Sequence, residues 1–102
     1  MSVATLKAGM ATLLSNGSAW TQKALARDAS ALPCSPLHPD AEKWDIMGAL
    51  IKVHAESGEK GFTFYHALYN QMSEAIPLNR KNRDIEAFND TATWSEVAAL
   101  LT

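Results

Sequence analysis

The chain has 102 residues, 47% of them apolar and 20% charged, with a formal net charge of −2 at pH 7. A chain of this length buries about two-thirds of its unfolded surface, so one domain with a true core is expected and disorder is excluded. Its single cysteine, Cys34, excludes a disulfide framework and points to a reducing, cytoplasmic setting.

The longest uncharged stretch, 8–22, has 15 residues and contains Thr12, Ser15, Asn16, Gly17 and Ser18. It is too short and too polar to span a bilayer, and its apolar centre is too broken for a signal peptide. Charge is uneven: residues 1–27 carry +3, residues 28–78 carry −4 and residues 79–102 carry −1. No segment is basic enough to hold nucleic acid by electrostatics alone.

In chain order, Ser2 caps a first helix running to Ser15, with Leu6, Met10, Leu13 and Leu14 as its apolar stripe and Asn16-Gly17 as its stop. Residues 19–36 fit either a helix or two short strands joined by a turn near Asp28-Ala29-Ser30-Ala31. Pro33, Pro36 and Pro39 end any helix there. The second helix is expected over Asp40–Ser57 at the centre of the domain. Glu42, Asp45, Ala49, Lys52 and Glu56 make a thin solvent stripe, and Trp44, Ile46, Met47, Leu50, Ile51, Val53 and His54 face inward.

A third helix covers Thr63–Ala75, ended by Pro77, with Tyr65, Leu68, Tyr69, Met72 and Ile76 inside. A short helix follows over Asn82–Phe88. The last starts at Thr93, which with Glu96 has capping-box spacing, and buries Trp94, Val97, Ala98 and Leu101. The expected class is mainly α: a compact orthogonal domain of four to five helices, with a short β-hairpin at about 20–35 if the strand reading holds.

Few residues suggest chemistry. His54 lies mid-face on the central helix, where a buried imidazole needs a hydrogen-bond partner; a carbonyl or hydroxyl is expected to supply it. Cys34, His38, His54 and His66 suit zinc by type, yet their spacings match no metal motif, so no metal or other cofactor is expected. Cys34 lies between prolines, without the helix N-terminus or cation that activates a thiol. Gly58-Glu59-Lys60-Gly61 lacks the length and hydroxyl of a phosphate loop. Phe62, Phe64, Tyr65 and Tyr69 have helical spacing, which is more often core than pocket.

Three stretches, in this order and spacing, resemble a family of small uncharacterised bacterial and phage proteins. They are Trp20-Thr21-Gln22 with Ala24 and Ala26-Arg27-Asp28-Ala29; Trp44 with Gly48-Ala49-Leu50; and Phe88-Asn89-Asp90 with Glu96-Val97 and Leu100-Leu101. The resemblance spans nearly the whole chain and brings no activity with it. It implies a hairpin at 20–35, with Ala31 where the family pattern has glycine and Asp45 where it has cysteine. Asp28, Asn89 and Asp90 fall on its polar positions, where turn and cap roles explain them.

These readings favour a non-enzymatic protein that binds another macromolecule, a protein partner or a second copy of itself. Trp20, Arg80, Lys81 and Arg83 are its candidate contact residues. The alternative is a small enzyme or ligand-binding domain with a pocket around His54, Asp28 and Asp90.

Overall fold

The computed structural model describes residues 2–80 and 83–102. Helix α1 spans Val3–Leu13, and Ser2 Oγ accepts from the Thr5 N–H at its start. A 3-10 turn over Ser15–Gly17 ends it, with Asn16 in the left-handed region. Three short strands follow: β1 (Ala26–Asp28), β2 (Pro33–Cys34) and β3 (Ala41–Trp44). They form an antiparallel sheet in the order β2-β1-β3, with Ala26 opposite both Cys34 and Trp44. Then come α2 (Ile46–Glu56), α3 (Thr63–Ala75), α4 (Ile85–Thr91) and α5 (Trp94–Leu100). The mainly helical expectation holds, with a small sheet added.

The hairpin at 26–34 settles the ambiguous region as strands. Asp28 drives its turn: Oδ1 accepts from the Ser30 and Leu32 N–H groups at 2.9 and 3.0 Å. The Asp28 carbonyl also accepts from the Ala31 N–H at 2.9 Å. Ala31 then adopts φ +66°, the left-handed conformation of a three-residue hairpin loop whose third position favours glycine. The sheet carries the turn despite its alanine.

The central helix begins later than its apolar pattern suggests. Residues 41–44 are strand because the Trp44 N–H donates to the Ala19 carbonyl at 2.8 Å and its carbonyl accepts from the Thr21 N–H at 3.0 Å. Asp45 is the N-cap, its Oδ1 accepting from the Gly48 N–H. This corrects the wheel drawn from residue 40. Asp45 and Ala49, expected in the solvent stripe, are fully buried.

Helix α2 packs on α1, α4 and β3, while α3 packs chiefly on α1. The core fills with Leu6, Met10, Leu14, Ile46, Leu50 and Leu68, each contributing about 1.5–3 kcal/mol on burial. Two glycines permit close approaches. A Cβ at Gly9 would lie 2.8 Å from Val53 Cγ1, and one at Gly48 would lie 1.9 Å from the Leu25 carbonyl oxygen.

Helix α3 has the expected bounds, and Leu68, Met72 and Ile76 are buried. Tyr69 does not join them. It is 37% exposed, and the buried face of α3 is the one that carries Leu68 and Met72. Helix α4 starts at Ile85, capped by Asp84, and the earlier start at Asn82 lies outside the described residues. The Thr93–Glu96 capping box is present in both directions.

Two stability outcomes follow. Ala31→Gly relieves a left-handed alanine and is expected to stabilise by about 0.5–1 kcal/mol after the added chain entropy of glycine. Gly48→Ala drives a methyl into fixed backbone and is expected to destabilise by about 3 kcal/mol or more. Urea midpoints of the two variants check both signs.

Candidate functional site

The motif residues converge on one buried side chain, Asn89 of α4, which is fully buried. Its Oδ1 accepts from the Trp20 indole Nε1–H at 2.8 Å and from the Ile46 N–H at 3.0 Å. Its Nδ2 donates to the Thr21 carbonyl at 3.1 Å. The same stretch binds the 20–23 segment three more times. Gln22 Nε2 donates to the Asn89 and Ala92 carbonyls at 2.9 and 3.1 Å, and the Lys23 N–H donates to Asp90 Oδ1 at 2.7 Å. Lys23 takes φ +65° to make that last bond.

Arg27 closes the other side of the segment. Its guanidinium donates to Thr21 Oγ1 and to the Ala31 and Gln22 carbonyls, at 3.1, 2.9 and 3.2 Å. Three neutral acceptors in a fixed fork suit the planar five-donor guanidinium and not a lysine. Segment, hairpin, α2 and α4 are thereby one hydrogen-bonded unit.

A pair of carboxyls lies beside this unit. Asp45 Oδ2 and Glu86 Oε1 are buried with no hydrogen-bond donor among the described residues, and the two carboxyl groups are neighbours. Burial pushes the Asp45 carboxyl up to about 8, and the Gly48 N–H opposes this. Burial raises Glu86 as well, with the Asp45 hydrogen bond acting against it.

His54 is buried on α2, as its wheel position implies, but its environment differs from the expected one. No carbonyl or hydroxyl holds its Nδ1, which is buried and unpartnered. The ring instead packs 4.7 Å from Phe62 and 5.3 Å, edge-on, from Tyr65. Phe62, Tyr65, His66 and Tyr69 continue this aromatic cluster along one side of α3, with ring spacings of 5.4–6.1 Å among the first three.

Of the alternative pocket residues His54, Asp28 and Asp90, none is hydrogen-bonded to another. Asp28 and Asp90 accept from backbone N–H groups in the hairpin turn and at Lys23, and no described contact joins either to His54. Asp28 instead rims a polar hollow of about 400 Å³ beside Asp40 and Glu42.

The candidate contact residues are mostly engaged within the chain. Trp20 donates to Asn89 and its ring lies 5.9 Å from that of Trp94. Arg80 pairs with Glu96 at 2.8 Å, and its guanidinium carbon sits 4.8 Å over the Phe88 ring. The Thr93 N–H and then the Arg80 guanidinium hold Glu96 below its ordinary value. The Arg83 carbonyl accepts from Ser73 Oγ, and its Nε is buried. Lys81 lies outside the described residues.

Among the described residues, no group of three or more His, Cys, Asp or Glu is placed to hold a metal ion. Partial desolvation, with the Asp28 and Asp40 carboxylates behind it, pushes the Cys34 thiol up and keeps it a poor nucleophile. No described helix is long and apolar enough to cross a membrane.

The fold and its polar junction define a class: a mainly helical domain with a small sheet, in which a Trp-x-Gln segment is latched to an Asn-Asp pair near the C-terminus. The chain belongs to a family of unknown function (DUF6197), whose model matches residues 1–102. No curated protein and no solved structure matches the chain.

Sequence reasoning overlooked Asp45, Glu86 and Arg27. The Asp45 cap had a signal, an Asp directly before an apolar run and three residues ahead of Gly48. The pairing of residue 45 with residue 86 had none. Asn89→Ala strips acceptors from two N–H donors and a donor from the Thr21 carbonyl. It is expected to cost about 3–5 kcal/mol. A double-mutant cycle with Trp20→Phe, read by chemical denaturation, should be non-additive.

Proposed function

We propose that this domain is a non-enzymatic interaction module, whose recognition surface is the aromatic side of α3 and whose occupant is a protein partner. The observation that carries the reading is the stripe of Phe62, Tyr65, His66 and Tyr69, at helical spacing, with Phe62 52% and Tyr69 37% exposed. Aromatic side chains left at the surface have large contact area and few rotatable bonds, the properties of interface anchors. His54, packed beneath Phe62, fixes that end of the stripe.

This moves the surface away from Trp20 and Arg80, whose polar groups are engaged within the fold. A ligand-binding role for His54 has its unpartnered Nδ1 in its favour. Its expected companions Asp28 and Asp90 are occupied elsewhere. The single cysteine fits a cytoplasmic setting, and the motif pattern fits a bacterial or phage origin.

A photo-cross-linking p-benzoylphenylalanine at position 62, expressed in the source cell, tests the reading. One discrete protein adduct is expected, and Tyr69→Ala should lower its yield about tenfold. The same substitution should change folding stability by no more than about 0.5 kcal/mol. Absence of an adduct, or an adduct indifferent to Tyr69→Ala, defeats the proposal.

A further inference from the structure

The Asp45–Glu86 pair stands where α2 begins and α4 begins, next to the Asn89 junction. Asp45 is fully buried, and its Oδ1 already accepts from the Gly48 N–H. Its Oδ2 and Glu86 Oε1 are both buried without a hydrogen-bond donor among the described residues, and the two carboxyls are neighbours. Two ionised carboxylates have no hydrogen between them and cannot satisfy this arrangement; one carboxylic acid and one carboxylate can, through a single O–H donated across the gap.

We propose that Asp45 and Glu86 share one proton at neutral pH and form a pH-operated latch, whose deprotonation loosens α2 from α4 and frees the Trp20 segment. The route from pair to segment is short. One residue on from Asp45, the Ile46 N–H donates to Asn89 Oδ1, which also accepts from Trp20. Three residues on from Glu86 is Asn89 itself. Separation of the two helix starts therefore acts directly on the acceptor that holds Trp20.

The charges around the pair favour keeping the proton. From α4 and its cap, the facing groups are Asp90 and Asp84, both acidic. The bases on the other elements packed against α2 are turned elsewhere: Lys7 of α1 donates to the Thr102 carbonyl oxygen, and Lys43 of β3 is exposed. Among the described residues, no cationic side chain pairs with either carboxyl. The countervailing groups are the Gly48 N–H and the positive start of α2.

The sign of the pH dependence is fixed. Unfolded carboxyls release their protons near pH 4, whereas folding raises Asp45 to about 8 and raises Glu86 in the same direction. The stability contributed by the shared proton is therefore complete below about pH 4 and is lost as pH rises towards 8. The latch itself opens only as the folded pair loses its proton, near the upper end of that window.

The test combines urea unfolding from pH 5 to 9 with the NMR signal of the Trp20 indole N–H, assigned with Trp20→Phe. For the wild type, the unfolding constant should climb by about tenfold per pH unit through the window, beyond the slope of Glu86→Gln. The Trp20 signal should shift and exchange faster near pH 8. In Glu86→Gln, whose amide donates to Asp45 and favours its carboxylate, the slope should be shallower and the Trp20 transition near pH 8 should vanish. Equal slopes in the two proteins, or a wild-type Trp20 signal unchanged to pH 9, overturn the latch. If Glu86→Gln does not fold, ¹³C carboxyl shifts of the wild type decide. A retained proton lost near pH 8 supports the pair, and two ordinary carboxyl titrations refute it.

Discussion

The structure depends on the burial of one amide. Asn89 is out of water, so each of its polar atoms needs a protein partner, and each has one: Trp20 and Ile46 donate to it and Thr21 accepts from it. That requirement ties the segment after α1, the start of α2 and the middle of α4 into one geometry. Trp20 and Ile46 lie 69 and 43 residues from Asn89 along the chain. An apolar residue of the same size would fill the space and hold none of them in register.

The rest of the polar architecture surrounds this constraint. Gln22, Lys23 and Asp90 repeat the link between the same two segments, and Arg27 joins the segment to the hairpin turn. Bare Gly48 lets the Leu25 carbonyl approach α2, where the Asp45 N–H donates to it at 3.1 Å. The polar residues of the motif pattern are thus used to build a tertiary junction. Phe62 and Tyr69 remain exposed on one side of α3.

The junction also holds the molecule's least comfortable groups. Asp45 serves as helix cap through one oxygen, and its second is buried without a donor in the neighbourhood of the Glu86 carboxyl. A cap prefers a negative charge and a buried carboxyl pair prefers a proton, so the two demands oppose each other at one residue. Folding satisfies both by dividing them between the two oxygens, which makes this end of α2 sensitive to proton concentration in a way an asparagine cap is not.

Much of the helical framework was legible in the sequence, because it depends on local rules. Ser2 and the Thr93–Glu96 box mark helix starts through side-chain bonds to backbone N–H groups made within a turn, and Pro77 marks an end because it has no N–H to donate. The stripe of Leu68, Met72 and Ile76 follows from helix period alone. The candidate site was far less legible. Residues 41–44 carry helix-compatible apolar spacing, yet are strand because Ala19, Thr21 and Ala26 flank Trp44. Tyr69 has the period of a core residue and is nevertheless 37% exposed. Local chemistry sets where a helix begins and which residues share its face. Only the packed chain determines which face is covered and which distant groups meet, because burial and long-range hydrogen bonds belong to pairs of segments and not to either segment alone.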